Sequence, residues 1–230
     1  MSTTQTAARQ VKGRRTSVAL KIVMAATGVL FLLFVLAHMY GNLKALSGQE
    51  AYDGYAHHLR VLGEPMLPYE GFLWIMRVGL IVSLVLHVWA AAQLTRRKRA
   101  ARTQKYAVKK SVASTLSSRT MMWGGLTILL FLVFHILQFT TLTIEVGGSY
   151  DSPYERFVAA FEVWWLVAIY VVAMIALGMH LRHGMWSAVQ TLGWSNRNRQ
   201  AALKATALAV SLVIVVGFLL PPLAIAFGIV

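Results

Sequence analysis

Five long apolar runs, each bounded by polar or charged residues, set the pattern along this chain. They fall at about residues 18–40, 72–94, 121–142, 157–183 and 205–228. Each is near or above the ~20 residues that carry a helix across the hydrocarbon core of a bilayer. A chain in hydrocarbon must satisfy its backbone hydrogen bonds within the segment, so runs of this length are expected as helices. The pattern predicts an all-α integral membrane bundle of five transmembrane helices, preceded by a polar, basic tail at residues 1–17 and forming one domain over 18–230. The fourth run continues past the membrane to about Gln190 before Gly193 and Asn196 break it, and Pro221-Pro222 are expected to end or kink the fifth. The connection after the first run is long for a helix–helix link and carries Glu50, Asp53, Glu64, Glu70, Pro65 and Pro68; it is expected to fold over the bundle as a cap.

Composition sharpens this picture. With 57% hydrophobic residues the chain is too apolar for a soluble domain of 230 residues. A formal net charge of +14 would suggest nucleic acid in a soluble protein. Here 18 of the 22 Lys and Arg lie in residues 1–21, 95–120 and 182–204, which share one side of a five-span bundle, while the eight acids fall on the other side or in its helix ends. The positive-inside rule then places the N-terminus in the cytoplasm and the C-terminus outside, and leaves no call for a nucleic-acid partner. Arg14-Arg15 resembles a twin-arginine signal, but the apolar run that follows is too long and contains His38. The absence of cysteine removes iron–sulfur clusters, thiolate zinc and covalently attached haem from this chain.

Candidate chemistry lies in the histidines. Four of the five runs carry one deep histidine each: His38, His87, His135 and His180. At ~1.5 Å rise per residue, position along a span gives depth. His38 lies near the end of an outward run and His135 sixteen residues after Arg119, so both belong to the outer half. His87 lies nine residues before Arg96 and His180 near the end of an inward run, so both belong to the inner half. Two imidazoles at each of two depths suit two haems, one above the other, with both axial positions of each iron filled. Small residues occur at matching heights: Gly28 is ten residues before His38, Gly124 and Gly125 lie at the same inner level, and Gly79 lies towards the outer one. Small residues also serve ordinary helix packing, and a single intramembrane histidine can simply bond a neighbouring helix. His183, three residues from His180 and closer to water, is the competing inner ligand, or else a propionate or quinone contact.

The stretch from His180 through Leu181-Arg182-His183-Gly184-Met185-Trp186 to Gly193 resembles the fourth-helix motif of the cytochrome b anchor of succinate dehydrogenases and fumarate reductases, in its single-chain, five-helix, two-haem form. Ala26-Thr27-Gly28, Leu36-Ala37-His38, His87-Val88-Trp89 and Phe134-His135 extend the resemblance over about residues 18–228. The resemblance implies that His38 and His135 ligate the iron of the outer haem b and His87 and His180 that of the inner one, with Gly28 and Gly125 beside the inner cofactor. It implies a subunit of succinate dehydrogenase that has no catalytic site of its own. Such a subunit anchors a flavoprotein with FAD and an iron–sulfur subunit on the cytoplasmic face of the bacterial cell (inner) membrane. It passes electrons to or from menaquinone, which links the tricarboxylic acid cycle to the respiratory chain. An acidic residue after the first helix handles protons in this family; Glu64 is the first choice here, with Asp53 and Glu50 behind it. Two other readings stay open: a two-haem cytochrome b of another quinone-linked dehydrogenase, or a membrane protein without redox function.

Overall fold

The computed structural model describes the backbone of residues 2–101 and 116–230 and the side chains of 17–101 and 121–230. The side chains of most of the basic tail, and the greater part of the basic segment around Lys105 to Lys110, lie outside the described residues. The chain is 82% helical, without strands among the described residues. Seven α-helices follow in order: α1 (Ser2–Leu43), α2 (Gln49–Val61), α3 (Gly71–Ala100), α4 (Leu116–Phe139), α5 (Pro153–Phe161), α6 (Trp164–Thr191) and α7 (Gln200–Ala226). Five of them, α1, α3, α4, α6 and α7, are long and apolar enough to cross a membrane. The bundle has a basic end, where Arg96–Arg99, Arg197 and Arg199 lie, and an acidic end, covered by α2 and α5.

α6 is the central helix and packs on α1, α4 and α7; α1 packs on α3, α6 and α7. α3 and α4 stand on the flanks. Their outward faces carry Ile75, Ile81, Val85, Leu130 and Val133, each more than half exposed. An apolar surface of that extent belongs in lipid rather than water. Exposed Trp74 and Trp164 sit at helix ends on the acidic side, and Trp123 and Trp194 on the basic side, as amphipathic rings do at membrane interfaces.

The structure departs from the sequence expectation in two places. The fourth apolar run is not one helix from residue 157: it divides at Glu162-Val163, where Val163 is extended (φ −88°, ψ 105°). Ser152 caps the short α5 by accepting from the Glu155 amide, and Pro153 takes the first helical position, where its missing N–H costs nothing. The buried face of α5 (Phe157, Ala160, Phe161) packs with Leu166, Tyr170 and Ile225 in a core at the acidic end. Those apolar residues fill the end of the bundle instead of spanning it. The second concerns α7, which Pro221 and Pro222 do not end: the helix runs on to Ala226. Lacking amide hydrogens, the two prolines leave the carbonyls of Gly217 and Phe218 without their i+4 donors.

The acidic end is tied by four polar contacts. Asp53 of α2 accepts from Ser152 Oγ at 2.6 Å and from the Tyr154 amide at 2.9 Å, which fixes α2 to the start of α5. Glu70, in the left-handed region with φ 59°, precedes α3 and pairs with Arg60 at 3.3 Å and Arg77 at 3.5 Å. α2 therefore lies across the bundle as the cap that the length of the connection suggests.

Candidate functional site

Each of the four deep histidines comes from a different helix: His38 from α1, His87 from α3, His135 from α4 and His180 from α6. The structure brings them together in the two pairs that depth predicts. The rings of His38 and His135 meet edge-on, with centroids 5.8 Å apart and planes at 77°. Those of His87 and His180 are 6.3 Å apart at 53°. Two imidazole–metal bonds of about 2.0–2.1 Å, with the half-widths of two rings, span about 6 Å between centroids, so each pair has the separation of two axial ligands on one metal. Among the described residues no three His, Cys, Asp or Glu side chains cluster, so the histidines group in twos.

α1 and α4 carry the first pair and α3 and α6 the second, yet neither of these helix pairs packs closely along its backbone. The imidazoles reach across gaps. At the basic-end level the gap is lined by glycine on two sides. A Cβ at Gly28 would stand 3.9 Å from His87 Cε1, and one at Gly125 would stand 3.5 Å from His180 Cε1. Gly124 instead approaches the α6 backbone at Ala176, and Gly79 faces open space.

The second nitrogen of each imidazole separates the members of a pair. His87 Nδ1 lies 2.9 Å from Thr27 Oγ1, whose single hydrogen is in range of the Val23 carbonyl at 2.8 Å. With that hydrogen on Val23, Thr27 accepts from His87 Nδ1–H, and Nε2 is left as a lone-pair donor. His135 Nδ1 lies 2.9 Å from the Tyr170 hydroxyl, which in turn donates to Gln138 Oε1 at 3.1 Å. His180 Nδ1, by contrast, is buried with no hydrogen-bond partner. His38 is held by stacking on Phe34, with centroids 5.3 Å apart and planes at 11°. A buried polar nitrogen without a partner is costly. At the His87–His180 level one imidazole is oriented by a hydroxyl and the other has an unspent nitrogen, a donor set that fits haem iron.

His183 is half-buried and turns to Trp186, with ring centroids 5.9 Å apart; it does not face His87. Of the three acids, Glu50 and Glu64 are exposed on the acidic-end segment, whereas both carboxylate oxygens of Asp53 are committed to α5. Beside Asp53, burial chiefly, and its charge secondarily, push the Tyr52 phenol up against the opposing pull of Arg156. Three residues of the site escape a reading by depth alone: Thr27, Tyr170 and Gln138. Each is a lone polar side chain in an apolar run, Thr27 next to Gly28, Gln138 three residues after His135 and Tyr170 ten before His180, and that is the signal they leave in the sequence.

Comparison with family models, curated proteins and solved structures gives no match.

Proposed function

We propose that this chain is the membrane-anchor cytochrome b subunit of a succinate:quinone oxidoreductase in the bacterial cell membrane. His38 and His135 hold one haem b, and His87 and His180 the other. The observation that carries the reading is the double pairing: four helices, one deep imidazole each, meeting two by two at ligand separation. Bound between two imidazoles, each haem supplies one-electron transfer with no open iron site for oxygen. The chain's own part is to hold the two levels apart. Gly28 to His38 on α1, Gly125 to His135 on α4, and Tyr170 to His180 on α6 are each ten residues, which at 1.5 Å per residue is roughly 15 Å along the helix axes.

The basic end then faces the cytoplasm and carries the flavoprotein and iron–sulfur subunits; the acidic end faces outward. Menaquinone is the membrane partner, with Glu64 and Glu50, both exposed on that side, as the candidate proton-handling acids, and Asp53 as a clamp that holds their segment. Succinate chemistry belongs to the flavoprotein, since this chain contributes no group for it.

The test is a pyridine haemochrome assay on the purified complex with a reduced-minus-oxidised spectrum. Two haems b per chain are expected, with His87→Ala and His38→Ala each losing a different one. A colourless wild-type protein would overturn the reading. Co-purification of a flavoprotein with succinate:quinone reductase activity would fix the substrate, and co-purification of another dehydrogenase would replace it.

A further inference from the structure

The two hydroxyl-tethered imidazoles are not tethered in the same way. Thr27 sits on the neighbouring helix and sends its hydrogen to its own backbone, at Val23. Tyr170 belongs to a side-chain relay. Its ring is held edge-on between Phe131 and Phe161, with centroids 4.8 Å from each, and it is 8% exposed. Its oxygen sits between His135 Nδ1 and Gln138 Oε1. Gln138 is 3% exposed, one turn along α4 from His135, and its amide nitrogen is buried without a partner. It also lines a cavity of about 30 Å³, enough for one water molecule.

We infer that Tyr170 is the positioning residue of the His38–His135 level: with its hydrogen drawn to Gln138 Oε1, it accepts from His135 Nδ1–H and fixes both the tautomer and the ring plane of that ligand. This rests on the haem reading above. The direction of the relay follows from the donor inventory. A phenol has one hydrogen, and Gln138 Oε1 is an acceptor only. With that hydrogen on Gln138, the lone pairs of the phenol are what His135 meets. A ligand imidazole whose far N–H is accepted by oxygen is a stronger donor to iron, which favours the oxidised metal. Thr27 does the same for His87 through a single bond to backbone. Tyr170 does it through a side chain that can be altered without touching a helix backbone.

The experiment is a redox titration of the wild type and of Tyr170→Phe in the intact complex, following each haem by its spectrum. Phe keeps the ring between Phe131 and Phe161 and removes the hydroxyl alone. The expected result is two haems per chain, an outer haem easier to reduce by about tenfold, or ~59 mV for a one-electron couple, and an inner haem unchanged. Gln138→Met, which keeps Tyr170 and removes its acceptor, should move the same haem in the same direction, because nothing then holds the phenol hydrogen away from His135 and the bond accepted from His135 Nδ1–H weakens. It also covers the case in which Tyr170→Phe does not assemble. Wild type with two haems whose potentials neither variant moves would overturn the inference while leaving the functional reading intact. A shift confined to the inner haem would overturn it as well. A wild type without haem would overturn both.

Discussion

Gly125 is the residue at which the site is narrowest. Its missing side chain leaves His180 Cε1 3.5 Å from where a Cβ would be, an ordinary contact for a methyl group and a collision course for anything longer. Gly125→Ala should therefore be tolerated, and Gly125→Leu should abolish the haem proposed between His87 and His180 while sparing the other, read as one haem per chain in the haemochrome assay. Gly54→Leu on α2, where a Cβ meets nothing within 4 Å, is the control and should keep two. The importance of Gly28 and Gly125 follows from counting residues, because depth in a helix is linear in sequence. Thr27 and Tyr170 do not follow that way. Whether a hydroxyl reaches an imidazole nitrogen depends on azimuth and rotamer, and a hydroxyl in an apolar run is as often bonded to its own backbone.

α5 shows what is lost when an apolar run is read as one element. Ser152-Pro153-Tyr154-Glu155 has the spacing of a capping box, with proline at the first helical position, so the start of a helix is written there. The end of that helix is hidden, because Glu162 and Val163 interrupt neither hydropathy nor length enough to separate α5 from α6. Only the packing of Phe157 and Phe161 into the acidic-end core shows that these residues are not lipid-facing. Ser152 serves two elements at once, capping α5 and donating to Asp53. Ser152→Ala should cost about 1 kcal/mol for the cap and remove one of the two bonds that Asp53 accepts from the start of α5. Amide hydrogen exchange should then speed up in α2 and α5 while α6 around His180 stays protected; uniform speeding along α6 would contradict the clamp.

At the scale of the whole molecule, the charge pattern carries a prediction of which end faces which compartment. Basic residues flank one set of helix ends and acids the other, and the helices between them bear apolar side chains on their outward faces. The chain contains no cysteine, so a single introduced thiol reports topology without background. Met66, 93% exposed in the turn after α2, is the position of choice. Met66→Cys in intact cells should react with a membrane-impermeant maleimide, and Trp194→Cys should react only after permeabilisation. The reverse pattern would invert the bundle and with it the side on which the proposed soluble partners would dock. Helix number and the two depths were legible because both depend on distance along the chain. The order of the helices around the bundle, with α6 central and α3 and α4 on the flanks, depends on three-dimensional packing that no single run encodes.

The ten-residue interval has a rotational meaning as well as a length. At 3.6 residues per turn, ten residues leave a helix turned by about 80° from where it began. One helix thus looks towards different neighbours at the two heights: α1 presents Gly28 to His87 of α3 and, ten residues later, His38 to His135 of α4. α6 likewise turns from α4 at Tyr170 to α3 at His180. The bundle is braided by its side chains rather than by its backbone. A single residue inserted between Gly28 and His38 would swing one end of α1 by about 100° against the other, so the helix could keep its appointment at one storey only by missing it at the next.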